Sequence, residues 1–217
     1  MSAIKRNLDD IIRKKLTEEI IAGEWVTGSL ISIDDIMKRY GVSRTPVIQA
    51  LKKMDAEGMV EFSSRGHFYV PDYEVKDVKD IVDVRTVLEE YAIRTIQEKG
   101  LEIDIIKLRE ISDEGLRSSA NGDVIRVREC DLSFHRTLIE QAGNDCLTDL
   151  FKRTQGKFMM VNYLIGRHTA LQQDVANADH VQVIACLEQK DYDGAIEILQ
   201  RHIRGAFHKI EKRFDNQ

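Results

Sequence analysis

Four side chains in the second half of the chain form a possible metal-binding set. Asp131 and His135 lie four residues apart in CDLSFHRTLIEQAGN, so a helix would place them on one face, about one turn apart. His180 and His202 lie within two later segments of helical periodicity. Three imidazoles and one carboxylate are a common ligand set for zinc or another divalent ion, with positions left open for water or a ligand. The spacing alone also fits ordinary surface or hydrogen-bonded core histidines.

A second group of residues, in the segment GVSRTPVIQALKKMDAEGMV, is suited to binding DNA. Gly41 tolerates the positive φ of a sharp turn between two helices, and Ser43 suits the N-cap of the second helix. Arg44 and Thr45 are then exposed at the N-terminal end of that helix. The free amides and dipole there favour a phosphate, and an arginine can bind the two acceptors of guanine in the major groove.

The residues around this segment complete a winged helix. Four apolar residues at helical spacing should face a core, namely Val47, Ala50, Leu51 and Met54. Residues 59–62 alternate like a strand, and a turn over 63–66 leads into a second strand at 67–71. Arg65 and His67 would lie at the wing, near the DNA backbone or minor groove. The alternative is a small α+β packing module with an incidental surface arginine.

The helices that position these residues can be predicted from apolar periodicity. The first helix should run from Ile4 to Ala22, with an apolar stripe of Ile4, Leu8, Ile11, Ile12, Leu16, Ile20 and Ile21. After the wing, six helices are expected at 75–99, 103–120, 124–142, 145–167, 171–189 and 192–214. We predict a mainly α protein: a winged helix-turn-helix domain at 1–72 and an all-α antiparallel bundle of about six helices at 73–217.

Composition supports two domains and excludes several classes of protein. The chain has 217 residues, 42% of them hydrophobic and 32% charged, and only two prolines. No stretch is long and apolar enough for a membrane span, and the N-terminus lacks the apolar core of a signal peptide, so no membrane partner is expected. The cysteines, Cys130, Cys146 and Cys186, lack CxxC spacing. We expect reduced packing residues in a cytoplasmic protein.

The charge distribution limits how the first domain can bind DNA. Residues 1–72 contain eleven basic and eleven acidic side chains, so the net charge of −5 lies entirely in the remainder. A neutral DNA-binding domain has modest non-specific affinity. It should therefore depend on a few well-placed cations and on dimerisation.

The N-terminal motifs resemble those of a known family. In order and spacing, GVSRTPV, ALKKMDAEGMVE and RGHFYV resemble the N-terminal domain of GntR-type bacterial transcription regulators, over about the first third of the chain. This implies binding to double-stranded operator DNA, with Arg44 as the main base contact. The implied DNA-binding residues are Ser43, Arg44, Thr45, Gln49, Lys52, Lys53, Arg65 and His67, of which Thr45, Lys52 and Lys53 would contact phosphates. The chain departs from the family at Asp34, where an arginine is common, and at Ile48.

The C-terminal motifs resemble one branch of the same family. The helix from Phe134 to Asn144, DHVQVIACLEQKD and LQRHIRGA are similar to the FCD-type domain of the FadR subfamily. Many members of that branch hold a metal ion with an aspartate and three histidines at these places. The implied ligands are Asp131, His135, His180 and His202, and the implied metal is Zn, with Ni or Mn as alternatives. His168 and His208 lie outside the pattern.

The resemblance also implies an effector site. Arg85, in IVDVRTVLEEY, matches an arginine that the family often keeps near the pocket, and a guanidinium can bind a carboxylate with two hydrogen bonds. A salt bridge from Arg85 to Glu89, one helical turn later, is the alternative. Lys157, Asn162 and Arg167 are further candidates. A small organic acid could bind at the metal by displacing water.

Together these features predict a homodimeric, DNA-binding transcription regulator that is not an enzyme. Binding of a carboxylate metabolite at the metal would change the packing of the bundle and thereby the spacing of two winged helices. One alternative is a metal-dependent hydrolase with an appended winged helix, although the chain has neither an HExxH nor an ExxH pattern. The other is a metal-free dimeric DNA-binding scaffold.

Overall fold

The computed structural model describes residues 7–165 and 173–214, and within them the protein is mainly helical. The elements are α1 (Leu8–Ala22), α2 (Ile33–Tyr40), α3 (Arg44–Ala56), β1 (Glu61–Phe62), β2 (Phe68–Tyr69), α4 (Val75–Lys99), α5 (Ile105–Ala120), α6 (Val124–Glu140), α7 (Asp145–Ile165), α8 (Gln173–Glu188) and α9 (Tyr192–Phe214). The predicted fold class, a winged helix-turn-helix followed by a helical domain, is confirmed. Two compact units divide the chain: residues 1–74 with 156–167, and residues 75–155 with 168–217.

The first unit is built around the helix-turn-helix. The predicted core face of α3 is fully buried, since Val47, Ala50, Leu51 and Met54 are all 0% exposed. The hydroxyl of Ser32 accepts a hydrogen bond from the amide of Asp35 and so caps α2. Gly41 ends α2 with φ of 66°, which confirms the expected left-handed turn into α3.

Helix α1 buries less of its predicted stripe than expected. Ile12, Leu16 and Ile20 lie in the core of the first unit, whereas Leu8 and Ile11 are exposed. The buried residues recur every four positions and form one row, and Ile11 is rotated away from that row by about 100°. Ile4 and the side chain of Ile21 lie outside the described residues.

The wing is a short antiparallel hairpin. Glu61 pairs with Tyr69 and Phe62 pairs with Phe68, so both strands are shorter than predicted. Gly66 has φ of 83° in the connecting turn, a conformation that L side chains rarely adopt. Leu30 forms an isolated bridge with Tyr69, an extra pairing that the sequence pattern did not predict.

The second unit brings helices of distant sequence together. Helix α5 packs against α6 and α8, while α9 packs against α4 and α8, and α6 contacts both α4 and α8. Helices α4 and α9 have the predicted bounds. The remaining ends differ from the prediction by no more than two residues within the described part, as is usual where helices fray.

The structure also bears on the predicted domain boundary, on the three cysteines and on whether a helix could span a membrane. Residues 156–167 cluster with the first unit, and Met160 is buried in its core, although the sequence pattern assigned this segment to the second domain. The three cysteines are free, but Cys146 is exposed and is therefore not a packing residue. None of the described helices is long and apolar enough to cross a membrane.

Candidate metal centre and DNA-binding face

The four predicted metal ligands meet in the second unit. Helix α6 contributes Asp131 and His135, and α8 and α9 contribute His180 and His202. One ligand atom from each residue lies within 4.8 Å of all the others. The structure thus brings together residues that are up to 71 positions apart in the chain.

The ligand atoms point toward a common centre. His135 Nε2 lies 3.2 Å from the Nε2 atoms of both His180 and His202. Asp131 Oδ1 lies 3.6 Å from His135 Nε2 and 3.4 Å from each of the other two Nε2 atoms. Ligands held about 2.0–2.2 Å from one cation at near-octahedral or tetrahedral angles are separated by roughly 3.0–3.5 Å. The four residues therefore fit a single divalent ion, which would be held by three imidazoles and one carboxylate.

Each imidazole is oriented by a different neighbour. His135 Nδ1 lies 2.6 Å from Glu89 Oε2, and His202 Nδ1 lies 3.5 Å from Asp179 Oδ2. The ring of His180 stacks on Phe134 with centroids 4.0 Å apart and an interplanar angle of 11°. Carboxylates behind histidine ligands commonly fix the tautomer that binds a metal.

Two of these neighbours were missed as site residues in the sequence. Asp179 immediately precedes a predicted ligand, but its sequence position does not show that it serves His202 rather than His180. Phe134 immediately precedes His135, yet it supports His180 on another helix. Only packing between α6, α8 and α9 creates these pairings.

Burial and charged neighbours act in opposite directions on Asp131 and His202. Burial raises the pKa of Asp131, but the neighbouring imidazoles outweigh it and hold that pKa well below its ordinary value. Burial lowers the pKa of His202, but Asp131 and Asp179 raise it to about 9. Burial and the neighbouring imidazoles hold the pKa of His180 well below its ordinary value.

The four side chains of this cluster differ in their exposure to solvent. The side chains of His135 and His180 are 0% and 1% exposed, whereas those of His202 and Asp131 are 8% and 22% exposed. A small ligand that enters the site would therefore meet Asp131 first.

The predicted effector residues are placed differently from one another. Arg85 is buried on α4, where its Nε donates to Glu89 Oε1 at 2.6 Å, so the alternative salt bridge is present. Its positive charge adds to the low pKa of His180 and opposes the rise in the pKa of His202, so it acts on the metal cluster as well. Lys157 is an exposed residue of the first unit. The side chain of Asn162 and all of Arg167 lie outside the described residues.

The predicted DNA-contacting residues of α3 form an exposed face. Arg44, Thr45, Gln49 and Lys52 are all exposed. Arg44 Nη1 lies 3.1 Å from Asp34 Oδ1, in an exposed ion pair that holds the guanidinium beside α2.

The remaining predicted DNA contacts lie at the start of α3, in the wing and at Lys53. Ser43 occupies the N-cap position of α3 but makes no side-chain capping bond, contrary to the sequence expectation. Arg65 and His67 are exposed in the wing. Lys53 lies 2.7 Å from Asp9 and 2.9 Å from Asp10, so its ammonium group joins α3 to α1, and a phosphate would have to compete with two carboxylates.

Comparison with known proteins accounts for both units. Residues 8–70 match the model of bacterial regulatory proteins of the gntR family, and residues 80–205, more than half of the chain, match the FCD domain. The chain belongs to the gntR family of bacterial regulatory proteins. This regulator is 30% identical to BphR of Paraburkholderia xenovorans (strain LB400), described as an HTH-type transcriptional regulator, over 95% of this chain and 86% of that protein.

Other relatives agree with this assignment. The gluconate operon transcriptional repressor of Bacillus licheniformis is 21% identical to this regulator, over 91% of this chain and 82% of the repressor. The solved structure of E. coli McbR/YncC has the same fold, with a TM-score of 0.78 at 16% identity, and the match covers 96% of this chain and 99% of that one. The protein is therefore a DNA-binding transcription regulator of the GntR/FCD type, and its relatives are regulators rather than enzymes. The hydrolase alternative has no support.

Proposed function

We propose that this regulator, a member of the FadR branch of its family, holds a divalent transition metal in the second unit and that a small carboxylate bound at that metal controls its affinity for operator DNA. The supporting observation is the convergence of Asp131, His135, His180 and His202 on one centre at separations suited to a single ion. Zinc is the first candidate because imidazole ligands suit it, with nickel or manganese as alternatives. FCD domains commonly bind metal.

A carboxylate is the effector class that suits the chemistry of the site. Four protein ligands leave coordination positions open when the ion is five- or six-coordinate, and an anionic oxygen can replace water there. The partial exposure of Asp131 gives access from solvent. Arg85 adds a positive charge close to the imidazoles. A relative named for the gluconate operon is consistent with this class, since gluconate is itself a carboxylate.

The DNA-binding half of the proposal depends on the exposed face of α3. Arg44 would contact a base in the major groove, while Ser43, Thr45 and Lys52 would bind phosphates and Gln49 would reach a base edge. The wing residues Arg65 and His67 would contact the backbone or the minor groove. Lys53 is the weakest member of this set because Asp9 and Asp10 already hold it.

A homodimer would double these few contacts. Helix α4 exposes an apolar stripe of Val84, Val87 and Tyr91, which are 50%, 64% and 52% exposed. These residues recur at helical spacing, so they form one continuous face suited to a second copy of the chain. Light scattering on the purified protein would measure the mass. Val87→Glu should yield monomers and weaken operator binding, whereas Lys79→Glu, on an exposed part of the same helix, should leave the dimer intact.

The central experiment measures operator binding with the metal and effector varied separately. DNA fragments enriched by the protein from a random pool would serve as probes in fluorescence anisotropy. Organic acids that raise the melting temperature of zinc-loaded protein, but not of chelator-treated protein, would be selected as candidate effectors, because a ligand of the folded state stabilises it in proportion to the logarithm of saturation. The selected acids would then be added to the DNA-binding assay.

Matched variants make the result specific to the site. His135→Ala removes a buried ligand, whereas His208→Ala removes a histidine on α9 that is 68% exposed and lies 3.4 Å from Glu211. We expect the first variant to lose zinc and the response to the acid, and the second to behave like the wild type. If neither chelator nor any acid changes operator affinity or dimer shape, the sensing proposal is wrong. The alternative, a metal-free dimeric DNA-binding scaffold, would then be the better description of the protein.

A further inference from the structure

Glu89 is buried between two hydrogen-bond donors from different helices. Its Oε1 atom accepts from Arg85 Nε at 2.6 Å within α4, and its Oε2 atom lies 2.6 Å from His135 Nδ1 on α6. The side chain is 0% exposed. A buried carboxylate is costly unless its oxygens are paired, and here both oxygens have a close partner.

Other acid–base pairs on the same helix are different. Lys76–Asp80 and Lys79–Asp83 have the same spacing of four residues, but all four side chains are largely exposed. Exposed pairs of this kind suffice to support a helix. The burial of Glu89 and its second contact with α6 therefore require an explanation beyond helix stability.

The contact with Glu89 determines which nitrogen of His135 faces the metal ligands. Arginine can only donate, so Oε1 of Glu89 accepts from Arg85, and Oε2 is left to meet His135 Nδ1. A ring held through Nδ1 turns Nε2 toward the other ligands, and a metal would bind the lone pair of that nitrogen. Nε2 lies close to the Nε2 atoms of His180 and His202 and to the carboxylate of Asp131.

We propose that Glu89 is the positioning residue of the metal centre, fixing His135 in its metal-binding tautomer and linking that ligand to Arg85. The inference rests on the metal site proposed above. It also connects Arg85 to the metal site. A carboxylate ligand that binds the Arg85 guanidinium would bind the same group that donates to Glu89. Any change of metal affinity caused by such a ligand must be matched by an equal effect of the metal on the ligand.

The variant Glu89→Gln tests this role with little change of shape. Arginine is only a donor, so the amide oxygen of the introduced glutamine would turn toward Arg85 and its NH2 group toward His135. Nδ1 of His135 would then have to accept, which moves the proton to Nε2 and blocks the metal-facing lone pair. Loss of such a supporting group typically weakens metal binding by about 10- to 100-fold.

Two measurements on the full-length protein would test the prediction. Imidazole 15N NMR of the metal-free protein identifies the protonated nitrogen of His135, and competition with a chelating dye gives the zinc affinity. Glu89→Asp keeps a carboxylate acceptor. It should retain the wild-type tautomer of His135 and more of the zinc affinity than Glu89→Gln does. Glu90→Gln is the matched control, because Glu90 is adjacent in sequence but accepts from Gln200 instead of a metal ligand. Its zinc affinity should equal that of the wild type.

The outcomes separate this inference from the proposed function. If the wild type binds zinc tightly and Glu89→Gln binds it equally well, Glu89 does not position the site, although the metal proposal stands. If the wild type binds no metal, the proposed function fails. The NMR measurement does not depend on metal, and a neutral wild-type His135 with its proton on Nε2 instead of Nδ1 would overturn the inference even if Glu89→Gln does not fold.

Discussion

The pKa of His202 predicts that metal binding depends strongly on pH. Asp131 and Asp179 raise this pKa to about 9 in the protein without a cation, and a metal can bind Nε2 only after the proton has left. At pH 7, two units below the pKa, about one molecule in 100 has neutral His202. The apparent zinc affinity should therefore be about 100-fold lower than its limit above pH 9, or roughly 2.7 kcal/mol.

A rise in pH strengthens zinc binding but lowers the stability of the metal-free protein. The pKa of folded His202 lies above the ordinary value of 6.5, so its stabilising contribution is complete below pH 6.5 and is lost as pH rises toward 9. The affinity of the protein for zinc rises over the same pH range. The gap in melting temperature between the two forms should therefore widen from pH 6.5 to 8.5.

Calorimetry would measure this directly. Titration of zinc at pH 7 in buffers of different ionisation enthalpy should reveal release of about one proton, and the zinc affinity, corrected for the competing chelator, should rise about tenfold per pH unit up to pH 8.5. Asp179→Asn removes one of the two carboxylates that raise the pKa of His202. The rise in zinc affinity should therefore occur at lower pH in this variant. His208→Ala should leave it unchanged. An affinity that stays constant between pH 6.5 and 8.5, with no proton released, would refute the reasoning.

Three further predictions concern the first unit. Arg44→Ala should weaken binding to an enriched operator by about 1–3 kcal/mol in an anisotropy assay and relax base preference at one position, while Lys14→Ala, on an exposed part of α1, should have little effect. Asp34→Ala removes a carboxylate that competes with DNA for Arg44, and it should raise operator affinity a few-fold without changing the urea midpoint, since exposed pairs contribute only about 0–1 kcal/mol. Leu51→Ala should lower the free energy of unfolding by about 2–5 kcal/mol in urea denaturation, because Leu51 is 0% exposed; a loss below 1 kcal/mol would contradict the assigned core.

Much of the fold could be predicted because its signals are local. Gly41 specifies a turn because it tolerates a positive φ. One face of the next helix is specified by the spacing of its apolar residues, Val47, Ala50, Leu51 and Met54. Neither signal depends on the rest of the chain. Strand lengths were less predictable, since pairing depends on the partner strand. Leu30 is an example, because its bridge to Tyr69 joins segments far apart in sequence.

The candidate metal site shows the same division. All four residues and the helical spacing of Asp131 and His135 were visible in the sequence, and the family resemblance favoured a metal-ligand role for them over ordinary surface or core histidines. The sequence could not decide between a ligand role for Arg85 and a salt bridge to Glu89. In the structure the salt bridge forms, and the second oxygen of Glu89 meets His135.

The helices and the recognition turn could therefore be read from local sequence, because they depend on residues within one or two helical turns. The orientation and charge of the ligands depend on tertiary contacts. The positions of Glu89, Asp179 and Phe134 behind three imidazoles follow from packing among α4, α6, α8 and α9. Burial at that junction removes water from the carboxylates and imidazoles, so their charges act on one another at close range and set the tautomers and pKa values of the site.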